Sequence, residues 1–251
     1  VDQLKETNTA ILNFDNLYTR KMGGSTDAEV IYFGFEKGSD LQTVDYAFDS
    51  EEEILYFKLQ YKNNDYSFNF NKAGRHNIYN AMTAVIIGLE EKLSISEIQQ
   101  GLLQAEFSSN RMEFIELNNG ARIIDDSYNA NPLAVKAALD VLFELKAERK
   151  IAVLAAMLEL GSKSRLKHRE VGNYAAEKEI DLLITIGSKA EQIAAGAASG
   201  MQPEKIITLE SNQQCIDFLA AEIKADDLIL IKGSRANKLE EITAELKDKE
   251  L

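Results

Sequence analysis

Apolar and polar positions alternate in blocks through the second half of this chain. Apolar runs at Arg122–Asp126, Ile151–Ala155, Leu182–Ile186, Lys205–Leu209 and Leu228–Ile231 read as strands. Between them, apolar residues at helical spacing predict helices over Leu133–Leu145, Arg165–Lys178, Lys189–Ala197, Asn212–Lys224 and Lys238–Leu246. Alternation of this kind means βαβ units, hence a mostly parallel sheet with helices on both faces. Glu113–Glu116 adds a strand candidate before Asn118-Asn119-Gly120, a strong turn signal.

The first half follows a different pattern. Thr9–Asn13 and Val30–Phe35 are short apolar runs of strand type. From Tyr46 to Phe70 the period is two: Ile54, Tyr56, Lys58 and Gln60 oppose Leu55, Phe57, Leu59 and Tyr61. Asn63-Asn64-Asp65 reads as the turn of an antiparallel ribbon, with acidic residues at 49 and 51–53 marking a solvated edge. A helix is expected after Ala73-Gly74-Arg75-His76, and Ser94 with Glu97 forms the signature of a capping box for another. Phe107-Ser108-Ser109-Asn110 reads as a linker, which predicts an α/β domain with an antiparallel ribbon over residues 1–108 and a parallel α/β domain over 109–251.

Bulk properties exclude several function classes. The net charge of −13 leaves no basic stripe for duplex nucleic acid or an anionic membrane surface. No apolar run approaches the ~20 residues of a membrane helix, so no membrane insertion is expected. A single cysteine, Cys215, makes no intramolecular disulfide and suits a cytoplasmic location. The chain opens Val1-Asp2-Gln3-Leu4, without an initiator Met, and is expected to be a piece of a longer protein.

Candidate chemistry clusters where strands end. Ile123-Ile124-Asp125-Asp126-Ser127-Tyr128-Asn129-Ala130-Asn131-Pro132 is an apolar strand that stops in carboxylates and amides, then enters a helix at Pro132 with Asn131 as N-cap. In open α/β sheets ligands bind just beyond such carboxyl ends. The same residues also read as ordinary turn and cap chemistry. Ile231-Lys232-Gly233-Ser234-Arg235 ends another strand and gathers an ammonium, a hydroxyl and a guanidinium suited to a phosphate or carboxylate. His168 follows the Met157–Gly161 turn; a lone helix histidine of this kind is more commonly a packed residue than a reacting one. Asn77 and Asn80 share one side of a helix start and could read an adenine edge, or simply cap and solvate it. There is no G-x-x-x-x-G-K-[ST] loop, no zinc spacing and no G-x-S-x-G elbow, and no metal-ligating set is expected.

Taken together and in order, AILNFDN, GRHNIYNAMTA, SNRMEFIELNNGARIIDDSYNANP, VLAAMLELG followed by HREVG, and LILIKGSRANKLE resemble the Mur ligase family, in its MurF type. The resemblance implies the end of a central ATP-binding domain followed by a Rossmann-like C-terminal domain. It implies an ATP- and Mg²⁺-dependent amide ligase of peptidoglycan precursor synthesis, acting on UDP-MurNAc-tripeptide and D-Ala-D-Ala through an acyl phosphate. The phosphate loop and the Mg²⁺ ligands of that family are not among these residues, so the chain alone is expected to be inactive. By the same resemblance Asn77 and Asn80 would lie near adenine, Asp126 near the ribose with Tyr128 and Asn131 beside it, and Arg111 near the phosphates. Lys232, Arg235 and His168 would serve the peptide cleft as catalytic groups. Two departures stand out: Ala155-Ala156 where the family has Gly-Asp, and Ala236-Asn237 where it has Gly-Met. Another ligase of the superfamily, such as a folylpolyglutamate synthetase, and a non-catalytic nucleotide-binding or interaction module are the alternative readings.

Overall fold

In the computed structural model, which describes residues 1–49, 51–106 and 108–249, the alternation between Ile54 and Phe70 becomes an antiparallel ladder. The chain divides into two units, Val1–Glu106 and Phe107–Leu251. Ser50 within the expected ribbon and Phe107 at the head of the expected linker lie outside the described residues.

The first unit holds a five-stranded sheet in the order β1-β2-β3-β4-β5: β1 Thr9–Asn13, β2 Glu29–Gly34, β3 Leu41–Asp49, β4 Ile54–Tyr61 and β5 Asn64–Phe70. The first three strands run parallel and the last three antiparallel. Leu55, Phe57, Leu59 and Tyr61 point inward, as the period of two requires. They meet Ile78, Met82, Val85 and Ile86 of α2 (Arg75–Glu90) and Ile98 and Leu102 of α3 (Ile95–Leu103). Both halves of the Ser94–Glu97 capping box are formed. The turn differs from expectation. Its central residues are Lys62 and Asn63, at φ +47° and +63°, while Asn64 and Asp65 already pair with Tyr61 and Gln60. A two-residue turn with both centres left-handed matches the twist of its strands, and lysine at its first centre gives little warning of it. Helix α1 (Leu17–Met22) was not expected either. Asn16 caps it through Oδ1, but it buries no residue and so shows no apolar stripe.

The second unit holds six strands in the order β10-β9-β8-β11-β7-β6. They are β6 Glu113–Glu116, β7 Arg122–Asp125, β8 Arg149–Ala155, β9 Leu182–Ile186, β10 Ile206–Leu209 and β11 Asp227–Lys232. All pairings are parallel except β6 with β7. The helices are α4 Pro132–Glu144, α5 Ser164–Glu177, α6 Glu191–Ala197, α7 Asn212–Glu222 and α8 Glu240–Asp248. Ile123, Ile151, Val153, Ile184, Ile229 and Ile231 meet Cys215, Ile216 and Leu219 of α7 and Ile242 and Leu246 of α8 on one face. The alternate residues Ile124, Ala152, Leu154 and Leu230 are equally buried on the other, against which α4 packs. This is the α/β architecture with helices on both faces that the blockwise pattern predicts.

Strand order fixes where a ligand can sit. The chain passes from β7 to β8, moves outward to β10, then returns to insert β11 between β7 and β8. The carboxyl ends of β7, β11 and β8 therefore lie side by side at the point where strand order reverses, the usual crevice of open α/β sheets.

Candidate functional site

Three loops leave those strand ends. After β7, the backbone N–H of Asp126 donates to Ile231 O at 3.0 Å. Asp125 is fully buried: Oδ1 accepts from Ser127 N (3.0 Å) and Ser127 Oγ (2.6 Å), and Oδ2 from Asn110 Nδ2 (3.1 Å). Tyr128 N then donates to Asn110 O at 3.0 Å. These bonds fold the polar run into a defined turn before Asn131 caps α4, accepting from Ala134 N at 2.9 Å.

The loop after β8 is held from behind by His168. Met157 N donates to His168 Nε2 at 2.9 Å, and Nδ1 lies 2.7 Å from Ser164 O. Because Nε2 accepts, the ring proton sits on Nδ1 and donates to Ser164 O. His168 is 1% exposed and both its ring nitrogens are engaged. Through these bonds it braces the Met157 loop from behind.

The loop after β11 follows directly on Lys232. Lys232 was expected just past the strand, offering its ammonium to a ligand. It is instead the last residue of β11, its side chain 3% exposed. Nζ donates to Asp126 Oδ2 (2.5 Å), Asn129 O (3.1 Å) and Asp126 O (3.3 Å). An ammonium has three donors, and three acceptors of the β7 loop take them. Lys232 is thus a clamp on residues 126–129, and Asp126, expected beside a ribose, is the clamp's anion.

Cross-ties join the β8 and β11 loops. Leu158 N donates to Ser234 Oγ (2.9 Å) and Ser234 N to Ala156 O (3.2 Å). Asn237 Nδ2 donates to both Ala156 O (2.9 Å) and Ser234 O (2.8 Å). The two departures from the family pattern, at Ala156 and Asn237, therefore touch each other. Gly233 allows this approach, since a Cβ there would stand 2.7 Å from Leu239 Cδ1 and 3.0 Å from Ala155 Cβ.

Together the loops bound an open cleft of ≈ 700 Å³, lined by Tyr128–Asn131, Leu158–Leu160 and Ser234–Ala236. Tyr128, Asn131 and Arg235 of the expected set face it. Arg111 stacks its guanidinium on the Tyr128 ring, 4.1 Å from the centroid, with Nε donating to Ser108 Oγ at 2.9 Å. Asn77 and Asn80 belong to the other unit, where Asn80 Nδ2 donates to Asn77 Oδ1 (3.1 Å) and Asn77 Nδ2 to Ala73 O (2.7 Å). Glu159, within the Met157–Gly161 turn that the resemblance places at the cleft, lines its wall, and Asn237, which the sequence left without a role, is the tie beneath it. A smaller cleft, ≈ 530 Å³, lies before the amino ends of β9 and β10, lined by Glu179–Asp181 and Gly200–Gln202 among others. Among the described residues no group of three or more His, Cys, Asp or Glu side chains could hold a metal ion. With no phosphate loop in the sequence either, these residues do not compose a Mg²⁺–ATP site.

Asn131 separates two roles cleanly. Asn131→Ala is expected to cost about 1 kcal/mol of stability through the lost cap, while Asn131→Asp keeps it within about 0.5 kcal/mol. Urea denaturation of the two variants checks this; equal losses would mean that the cap carries no weight.

Comparison with known proteins gives concordant matches. The profile described as Mur ligase, glutamate ligase domain, matches residues 110–235, and that of the Mur ligase middle domain matches residues 1–88. A UDP-N-acetylmuramoyl-tripeptide–D-alanyl-D-alanine ligase of Bacillus subtilis (strain 168) is 33% identical over 174 residues, covering 69% of this chain and 38% of its own. The ligase of the same name from Buchnera aphidicola subsp. Baizongia pistaciae is 27% identical over 246 residues, covering 97% of this chain and 52% of its own. A crystal structure of MurF from Acinetobacter baumannii superposes with a TM-score of 0.85 at 27% identity, over 98% of this chain and 52% of that one. This chain thus spans about half, or less, of the length of these relatives.

Proposed function

This chain belongs to the Mur ligase family, and we propose that it is part of an ATP-dependent amide ligase that adds D-Ala-D-Ala to UDP-MurNAc-tripeptide. The observation that carries the reading is the cleft at the carboxyl ends of β7, β8 and β11, in a chain similar over 97% of its length to a ligase of that name. In the proposed reaction the tripeptide carboxylate attacks the γ-phosphorus of ATP and ADP leaves. The dipeptide amine, after losing a proton, attacks the acyl carbon of the acyl phosphate, and inorganic phosphate departs. The second step is where this chain's own residues act: they bind the amine substrate, orient it and keep the loops around it rigid. Arg235, 59% exposed in its side chain, is the cation of the cleft; Lys232 and His168 hold the loops that form its walls. Asn77 and Asn80 are proposed contacts of the nucleotide base. The location proposed is the cytoplasm, where ATP and nucleotide-linked sugars are found. No helix among the described residues is long and apolar enough to cross a membrane.

The test is product analysis with the entire gene product, given ATP, Mg²⁺, UDP-MurNAc-tripeptide and an equimolar mixture of D-Ala-D-Ala and glutamate. The expected product carries D-Ala-D-Ala, with one phosphate released per product. Glutamate in the product would assign the protein to another branch of the superfamily, and no phosphate release would favour a non-catalytic module. The 251-residue chain by itself is expected to release no phosphate above blank.

A further inference from the structure

Charge is distributed unevenly in the main cleft. Of the residues lining it, Glu159 and Arg235 are the two with formal charges, and they come from different loops, the one after β8 and the one after β11. The rest are the amides of Asn129 and Asn131, two hydroxyls, and the apolar Ala130, Leu158, Leu160 and Ala236. A site with one anion, one cation and small apolar surface between them complements a small zwitterion with apolar side chains.

Glu159 has the features of a ligand-binding carboxylate. It is exposed, and no hydrogen bond or ion pair takes up its side chain among the described residues. Its backbone is left-handed, φ +63°, a conformation unfavourable for an L side chain and easy for glycine. Strain of this sort persists only where the surroundings enforce it, and it gathers at ligand sites. Here the preceding backbone is fixed by Met157 N on His168 and Leu158 N on Ser234 Oγ, and Gly161 (φ +54°) completes the turn. The carboxylate is therefore presented to the cleft by a rigid loop. Arg235 is presented from the other loop. Its Nη1 is 2.9 Å from Glu240 Oε1, which orients the guanidinium, and the side chain is 59% exposed.

We propose that Glu159 receives the ammonium and Arg235 the terminal carboxylate of the dipeptide, so that this pair of opposite charges selects a zwitterion and sets its direction in the cleft. The inference rests on the ligase reading above and adds to it the residues that select the amine substrate. It also explains how the β8 loop can hold an amine although Ala156 brings no carboxylate: the acidic group stands three residues further on. Glutamate, with a second carboxylate, meets Glu159 unfavourably, so the same residue acts against the acidic amines used by other ligases of the superfamily.

The experiment is an NMR titration of the 251-residue chain with D-Ala-D-Ala, N-acetyl-D-Ala-D-Ala, D-Ala-D-Ala amide and glutamate, repeated with Glu159→Gln and Arg235→Gln. Wild type is expected to prefer the free dipeptide to either capped analogue by about tenfold or more, as charge-assisted hydrogen bonds do. Glu159→Gln should abolish discrimination against the N-acetyl analogue and keep that against the amide; Arg235→Gln should do the converse. A purely structural role would weaken all ligands together and cannot produce this crossed pattern. If wild type binds the dipeptide but Glu159→Gln still rejects the N-acetyl analogue, the inference falls and the ligase reading stands. If wild type binds glutamate better, or does not bind the dipeptide, the inference falls, while the ligase reading is decided separately by the product analysis of the entire gene product.

Discussion

Replacing Lys232 with methionine is expected to destabilise the second unit by about 3–5 kcal/mol, the usual cost of removing one partner from a buried ion pair. The substitution keeps most of the side-chain volume and deletes the ammonium. It strands the Asp126 carboxylate, 15% exposed, together with the carbonyl oxygens of Asp126 and Asn129. Neutralising the anion as well, in Lys232→Met/Asp126→Leu, should restore part of the loss, because the carboxylate's desolvation is then no longer uncompensated. Recovery should be incomplete, since two backbone acceptors still lack a donor. Urea denaturation of the single and double variants measures both effects. If Lys232 instead served a ligand and had little structural duty, the single variant would unfold within about 1 kcal/mol of wild type, as surface ion pairs do.

Gly172→Ala is expected to cost about 3 kcal/mol, the upper end of the range for an overpacked core. At this position α5 meets α6 backbone to backbone. A Cβ on Gly172 would stand 1.9 Å from Ile193 O and 2.8 Å from Ala197 N, and one on Gly196 would stand 2.2 Å from Arg169 O. No side chain can rotate away to relieve these contacts, so the helices must separate. The damage should reach the cleft, because α5 also carries His168, whose Nε2 holds the amide of Met157. Loss of stability with perturbed Met157 and Leu158 amide signals is the expected result. A variant with unchanged urea midpoint would mean that α5 and α6 are not in such close contact.

Strands β7, β8, β9 and β11 were legible because parallel strands buried on both faces must be continuously apolar, and Asn131-Pro132 announces the start of α4 by local chemistry alone. The burial of Lys232 was not legible, for the opposite reason. Its partner, Asp126, lies 106 residues away, and nothing within a few positions of Lys232 shows that strand β11 extends to bury it. His168 and Asn237 were obscure in the same way: each acts on a backbone atom of the β8 loop, at Met157 and at Ala156, that no spacing rule connects to them. Glu159 was placed at the cleft with the rest of the Met157–Gly161 turn, but its left-handed backbone shows only in the structure. In the first unit, α1 escaped because it buries nothing, and the ribbon turn because Lys62 is an unusual residue at a left-handed centre.

The organising element is still the polar run after β7, but its meaning has shifted. Asp125, Asp126 and Ser127 are largely spent on shaping the loop, through Asn110 and Lys232, while Tyr128, Asn129 and Asn131 are what the cleft sees. The site is thus built in two tiers: a buried layer of charges and amides that fixes three loops, and an exposed layer that meets the ligand.

Backbone amide mapping of bound D-Ala-D-Ala on the 251-residue chain tests that account most directly. Saturating dipeptide is predicted to shift the amides of Tyr128–Asn131, Leu158–Leu160 and Ser234–Ala236 together, with those of the smaller cleft at Glu179–Asp181 and Gly200–Gln202 unmoved. Shifts concentrated at that smaller cleft, or confined to one of the three loops, would contradict it.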